Sequence, residues 1–161
     1  MREGFGTDRR PGRRLGTLLT ALAISAVFAP AVLADGARVT RGDFHAFNGS
    51  SLPITGQATM IRTADGRTIV TIQVQGLDAN VEYASHVHKQ ACADGLAGTH
   101  YRFDPAGAAA PPNEIWPGPF TTNAAGAGNG STIAAGTAGS TAVSVVIHAP
   151  GGAKIACADL G

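Results

Sequence analysis

The chain has 161 residues, of which 44% are hydrophobic, 14% charged and 6% aromatic, and its formal net charge is +1. This length and composition are typical of one small domain. Residues 1–34 hold five basic and two acidic residues, so the rest of the chain carries seven basic and nine acidic residues, a formal charge of −2 that argues against nucleic acid as a partner.

Residues 1–34 have the pattern of a signal peptide: five arginines, the uncharged stretch Leu15–Leu33, and a small-residue cleavage site at Val32-Leu33-Ala34. The alternative is a retained anchor, because the uncharged stretch is nearly long enough to span a bilayer. We expect cleavage, with the domain at residues 35–161 exported to the periplasm, the cell envelope or the outside, and no stable membrane insertion afterwards. The pair Arg13-Arg14 leaves twin-arginine export and general secretion both open.

The remainder shows short β-branched and alternating runs separated by Gly, Pro, Asn and Asp, with no apolar period of 3.6 residues. This pattern predicts an all-β domain. The clearest unit is a hairpin with a turn at Asp65-Gly66. The predicted strands are Gln57–Arg62, Arg67–Val74, Glu82–Lys89, Val143–His148 and Lys154–Leu160.

The region between His100 and Val143 is rich in Ala, Gly, Pro, Asn and Thr, which favours long loops with short strands. Within it, residues 124–139 have the composition of a flexible linker. A structureless gap of about 40 residues inside a compact domain is unusual, however, so we expect part of this region to pair.

The two cysteines, Cys92 and Cys157, both lie in the part of the chain that we expect to be exported. Because that environment permits disulfides, we expect one intramolecular bond. Closing so long a loop is worth on the order of 4 kcal/mol in the chain-entropy model.

Four of the five histidines lie in strands or at strand edges: His86, His88, His100 and His148. In a strand His86 and His88 project from the same face, with Val87 on the other. Several imidazoles without a free thiolate favour a redox-capable copper site over a structural zinc site with thiolates.

Each histidine also has a simpler interpretation. A His-x-His pair is common on half-buried strands, His148 could be a strand-end histidine bonded to a backbone carbonyl, and His100 could be a loop histidine packed against Tyr101. The combined spacing of all four is what indicates a metal site.

That spacing resembles the copper,zinc superoxide dismutase family. The matching motifs occur in the same order and cover most of residues 36–161: His86-Val87-His88 followed by Cys92, Gly98-x-His100 with Tyr101 and Pro105, Ser144–His148, and Ala156-Cys157.

The resemblance implies an eight-stranded Greek-key β-sandwich in which the four histidines bind copper and Cys92 pairs with Cys157. It also implies dismutation of superoxide to oxygen and hydrogen peroxide, with no organic cofactor. His100 would be the ligand that bridges copper and zinc in zinc-containing members and that alternates between metal-bound and protonated states.

The loop after His100 departs from the zinc-containing pattern, because no histidine lies between Tyr101 and Ile147. We therefore expect no zinc site, since Asp104 and Glu114 without imidazoles make a poor one. Asp104 is expected to be a turn residue. Glu114, unless it is only a solvated charge, is expected to accept the free N–H of the ligand His100 and so to fix the orientation of its ring.

Two further positions differ from the family. Lys154 stands where the family has an arginine that attracts superoxide, so it keeps the charge but not the planar fork of donors; an exposed strand-edge lysine is the alternative. Only eight residues separate His148 from Cys157, which predicts a more exposed copper. His45 matches no ligand position and is expected to be a surface strand histidine.

These observations leave three functions open. The first is a copper-dependent superoxide dismutase, with His100 and Lys154 as catalytic residues. The second is a non-enzymatic copper-binding or copper-buffering protein on the same fold. The third is a metal-free adhesive or structural sandwich, which requires the four aligned histidines to be incidental.

Overall fold

The computed structural model describes Met1, Gly4, residues 36–47 and residues 49–161. The predicted leader therefore lies outside the described residues, apart from Met1 and Gly4, and its cleavage remains a prediction. Within the described ranges, no helix is long and apolar enough to cross a membrane.

Nine β-strands and no α-helix occur in the described ranges, which confirms the all-β prediction. Two strands have only two residues each, so the number is close to the eight expected. The strands are β1 (Arg38–Asp43), β2 (His45–Ala46), β3 (Thr55–Arg62), β4 (Thr68–Gln75), β5 (Glu82–His88), β6 (Phe120–Thr121), β7 (Gly128–Ala134), β8 (Ser144–His148) and β9 (Lys154–Asp159).

The strands form two antiparallel sheets, one in the order β1-β3-β4-β7 and the other in the order β2-β9-β8-β5-β6. The core is formed by alternate side chains along the strands, since successive side chains point to opposite faces of a sheet. In β4, Val70, Ile72 and Val74 are almost fully buried, whereas Thr71 and Gln73 between them are exposed. The buried residues of both sheets form one hydrophobic cluster, so the two sheets pack as a sandwich.

Strand β8 is buried along its whole length because both of its faces are covered. Val145 and Ile147 point into the main core, while Val146 lies in a second cluster that contains the half-cystines Cys92 and Cys157. The second cluster lies on the outer face of the five-stranded sheet. His148 shares that face with Val146, so the outer face of this sheet, under the segment that follows β5, is where histidines can gather.

Residues 124–139 are not a linker, since β7 pairs with β4 over its full length. This confirms the expectation that part of the region pairs. One glycine of this region, Gly130, is required by close packing, because a Cβ atom there would lie 2.0 Å from the carbonyl oxygen of Pro117.

Arg62 on β3 holds the loop between β7 and β8 against the four-stranded sheet by hydrogen bonds. Its Nε–H donates to the carbonyl oxygen of Ala138 at 2.8 Å, and one terminal nitrogen donates to those of Gly139 and Ala142 at 3.3 and 3.1 Å. We expect Arg62→Met, which keeps much of the apolar stem, to lower the free energy of unfolding by about 2 kcal/mol, measured by urea denaturation.

Arg67 is the matched control for Arg62. Its ion pair with Asp65 is exposed at the hairpin turn, at 2.7 Å. Because surface pairs contribute little, Arg67→Met is expected to change the unfolding free energy by less than about 0.5 kcal/mol. An equal loss in the two variants would contradict the role given to Arg62.

Candidate metal centre

Three histidines come from two adjacent strands of the five-stranded sheet. On β5, His86 and His88 alternate with Val87, which lies in the main core. On the neighbouring β8, His148 pairs in register with Ala84, so its side chain lies beside that of His86. Strand periodicity therefore brings these three imidazoles to the outer face of the sheet.

His100 reaches the same place from the segment that follows β5. An isolated antiparallel bridge pairs His100 with His88, and the N–H of Tyr101 donates to the carbonyl oxygen of Val87 at 2.8 Å. The Tyr101 ring is buried in the core, and its hydroxyl accepts the N–H of Gly139 at 2.9 Å. His100 is thus held against the sheet by its neighbour in sequence.

The four imidazoles form one compact cluster. Each offers a ligand nitrogen, and these nitrogens all lie within 4.8 Å of one another. The ring centroids of His86 and His100 are 4.1 Å apart, and those of His86 and His148 are 4.8 Å apart. The sequence-based expectation that these four residues meet agrees with this geometry.

Backbone carbonyls set the tautomers of two rings. His88 Nδ1 lies 3.3 Å from the carbonyl oxygen of Ala97, and His148 Nδ1 lies 3.1 Å from that of Gly152. A carbonyl only accepts, so both Nδ1 atoms carry the proton and both Nε2 atoms carry lone pairs. Those Nε2 atoms are 3.3 Å apart, a close approach of two acceptors that a cation between them would stabilise.

The remaining rings complete the donor set. His100 Nδ1 donates to the Glu114 carboxylate at 2.7 Å, which leaves its Nε2 lone pair for the cluster. His86 Nδ1 is buried and has no hydrogen-bond partner. A buried, unpartnered imidazole nitrogen beside three converging lone pairs fits a metal ion, so the residues present suit the metal that the sequence predicts.

Burial keeps the rings of His86, His88 and His148 neutral. It lowers the pKa of His86 to about 3 and that of His88 to about 3, with further lowering from His100 and His148 nearby. The pKa of His148 is lowered as well, again chiefly by burial. Neutral imidazole is the form that binds metals, so protons do not compete for these nitrogens at neutral pH.

Glu114 lies under His100 and is almost completely buried. Besides His100, it accepts the Nε–H of Arg102 at 3.0 Å and the indole N–H of Trp116 at 2.8 Å. Burial raises the pKa of Glu114, but the three donors outweigh it and hold the pKa below its ordinary value. The side chain is therefore a carboxylate at neutral pH, not the solvated charge that was the simpler interpretation.

Three further groups of residues that the sequence singled out lie outside the histidine cluster. Cys92 and Cys157 form a disulfide with an S–S distance of 2.01 Å, so their sulfurs are not ligands although Asp159 is close by. Asp104 lies in a turn and accepts the N–H of Ala106 at 2.9 Å. His45 is exposed on β2. Among the described residues, no second group of imidazoles could hold a metal.

Solved structures of known proteins match the fold of this chain. No family model matches the chain, and no curated protein does. Superoxide dismutase 5 of Candida albicans with Cu(II) matches at a TM-score of 0.55 and 18% identity, covering 75% of this chain and 89% of that chain. The chain has a superoxide dismutase-like fold. Two mutant forms of the same enzyme match with TM-scores of 0.54 and 0.53 and identities of 18% and 17%, covering 75% and 78% of this chain and 89% and 90% of theirs.

In this superoxide dismutase-like fold the histidine cluster is open to the surface. One cleft reaches His86, His100 and His148 between Glu82 and the short turn at residues 149–152. A second is lined by His88, His100, Arg102 and Lys154. The side chain of His100 is 29% exposed, so a small ligand can reach the ring from the surface.

Lys154 is not a free surface lysine. Its ammonium donates to the carbonyl oxygen of Leu96 at 2.8 Å and to that of Gly98. Burial lowers the pKa of Lys154 from its ordinary value. The positive charge is thereby held at the edge of the second cleft.

Arg102 and Trp116 are the residues of this site that the sequence did not single out. An isolated bridge pairs Arg102 with Glu114, and Trp116 stands two residues beyond Glu114 on the same face. The Trp116 ring also packs against His86, with centroids 4.9 Å apart. The sequence offered one signal for them, the patterns His100-x-Arg102 and Glu114-x-Trp116. These patterns indicate a shared site only once the two segments are known to pair.

Proposed function

We propose that this chain is an exported copper-dependent superoxide dismutase without a zinc site. The observation that carries the proposal is the convergence of four imidazole lone pairs, one from a buried nitrogen that has no other partner. The superoxide dismutase-like fold and the copper named for its structural neighbour support the same assignment.

Copper suits the donor set better than zinc. Four neutral imidazoles without a thiolate suit Cu(II), which also stands above zinc in affinity for most nitrogen sites. His100 Nδ1, the atom that would face a second metal, is occupied by Glu114. When bound, copper would alternate between Cu(II) and Cu(I), oxidising one superoxide to O₂ and reducing another, with two protons, to hydrogen peroxide.

His100 is the residue that would handle a proton. The Glu114 carboxylate fixes the ring through Nδ1 and keeps Nε2 directed at the cluster. Because the ring is partly exposed, Nε2 can hold a proton between the two half-reactions and release it toward the product in the cleft. Glu114 thus acts as a positioning residue for His100.

Lys154 would guide the anion. Two of its three N–H donors are used by backbone carbonyls, which leaves the third for a ligand in the cleft that His88 and His100 line. A fixed positive charge beside the site raises the encounter rate with superoxide. The charge is kept without the planar fork that an arginine would offer.

Export is supported by two observations. The Cys92–Cys157 bond is of a kind that persists in oxidising compartments. The basic, then uncharged, N-terminal segment has the pattern of a secretion signal.

The second candidate is a copper-binding protein without dismutase activity. The attachment of the Lys154 ammonium to two carbonyls favours it, because those hydrogen bonds hold the charge back from a substrate. In that case the histidine cluster would bind copper with the same geometry but without rapid turnover.

The test is metal analysis of the purified exported protein together with direct measurement of superoxide decay by stopped flow. One copper per chain, no zinc, and rapid decay that Lys154→Ala slows most at low salt is the expected result. Stoichiometric zinc would overturn the zinc-free assignment. Copper binding without decay would favour the second candidate.

A further inference from the structure

Four consecutive residues after the first half-cystine adopt left-handed backbone conformations. The φ angles are 54° for Gly95, 55° for Leu96, 63° for Ala97 and 62° for Gly98. Glycine accepts this conformation readily, but a residue with a Cβ atom is sterically disfavoured in it. Two such residues in succession need compensation from the surrounding structure.

Two contacts hold this left-handed turn, residues 95–98, in place. The Ala97 side chain is fully buried in the cluster that contains the Cys92–Cys157 disulfide. From the other side, the Lys154 ammonium donates to the carbonyl oxygens of Leu96 and Gly98. The ammonium thus clamps the turn at the residues before and after Ala97.

The carbonyl between the two clamped ones belongs to Ala97, and it accepts from His88 Nδ1. The carbonyl oxygens of three successive residues of the turn thus accept from two side chains of the site, those of Leu96 and Gly98 from Lys154 and that of Ala97 from His88. Lys154 itself pairs in register with His148 on β8, which places the clamp beside a second histidine of the cluster.

We propose that the left-handed turn, clamped by Lys154, is a positioning device that fixes His88 as the Nδ1–H tautomer with its Nε2 lone pair directed at the metal. Lys154 is in this respect a positioning residue as well as a source of charge. The inference rests on the proposed metal centre for its purpose, but its central statement concerns the metal-free protein.

The experiment measures the imidazole tautomers of the metal-free full chain by ¹⁵N NMR. We expect His88 in the wild type to be the Nδ1–H tautomer. In Lys154→Met, which keeps the apolar stem but cannot clamp the carbonyls, we expect the Nε2–H tautomer to become populated. Lys154→Arg, which restores N–H donors, should return His88 toward the wild-type state.

Copper affinity gives a second readout, because the loss of charge and the loss of positioning change the affinity in opposite directions. Loss of a positive charge near a cation site would by itself strengthen Cu(II) binding. Loss of the positioning device should instead weaken it, by about tenfold or more. We therefore expect weaker binding in Lys154→Met and near wild-type binding in Lys154→Arg and in the control Lys89→Met, which removes the charge of an exposed lysine outside the turn.

An Nε2–H tautomer at His88 in the wild type would overturn the inference without any variant, even if Lys154→Met did not fold. An unchanged His88 tautomer in a folded Lys154→Met protein would also overturn the inference, as would tighter Cu(II) binding by that variant. A chain that lacks dismutase activity but shows the expected tautomers would contradict the proposed function and leave the positioning device standing.

Discussion

Replacing His88 by alanine is expected to lower the affinity for Cu(II) by more than about 100-fold and to abolish superoxide dismutation. Loss of a residue that only orients a ligand already costs 10- to 100-fold in affinity, so loss of a ligand itself must cost more. His88 is fully buried, and its Nε2 lies 3.3 Å from that of His148. Among the described residues, no imidazole outside the cluster of four is close enough to take its place.

The affinity can be measured by competition with a chelator, using intrinsic fluorescence as the signal. Trp116 is the single tryptophan of the chain, and its ring centroid lies 4.9 Å from that of His86, so bound Cu(II) should quench it. His45→Ala is the matched control, because it removes an exposed imidazole on β2 and should leave the affinity unchanged. Unaltered copper binding by His88→Ala would show that the copper lies elsewhere.

Glu114→Gln should have the second large effect, on both stability and turnover. Three N–H donors converge on the Glu114 carboxylate, from His100, Arg102 and Trp116. A glutamine of the same shape replaces one acceptor oxygen by a donor and leaves Arg102 without its counter-charge. We expect the free energy of unfolding of the metal-free protein to fall by about 3 kcal/mol.

The same substitution should reduce the dismutation rate by about 10- to 100-fold, because His100 loses the partner that fixes its ring. Chemical denaturation and superoxide decay measure the two effects separately. Glu82→Gln is the control, since Glu82 also borders the cleft but is exposed. If Glu114→Gln behaved like Glu82→Gln in both measurements, Glu114 would have no role in the site.

Periodicity was sufficient to predict part of the site. Alternation along a strand places His86 and His88 on one face, and the apolar run before His148 identifies a buried strand. Both predictions depend only on local backbone geometry, which the sequence pattern reflects directly. The segment that follows β5 could not be predicted in this way. His100 reaches the cluster through a single bridge to His88, so it could be assigned to the site only by resemblance.

Other features were beyond local reasoning. Strand β1 has the sequence Arg-Val-Thr-Arg-Gly-Asp, whose charges and glycine obscure alternation, and it is identified by its pairing with β3. The left-handed conformations of Leu96 and Ala97 could not be foreseen, because neither residue type favours them and distant contacts enforce them. The same holds for Arg102, whose importance depends on a carboxylate 12 residues away.

The most direct test of the central claim is the electron paramagnetic resonance spectrum of the full chain loaded with one equivalent of Cu(II). Four imidazole nitrogens around one ion predict a single copper species with hyperfine coupling to four nitrogens, and the loss of one of them in His88→Ala. A spectrum with two or fewer coupled nitrogens, or one that His88→Ala leaves unchanged, would contradict the assignment of this cluster as the copper centre.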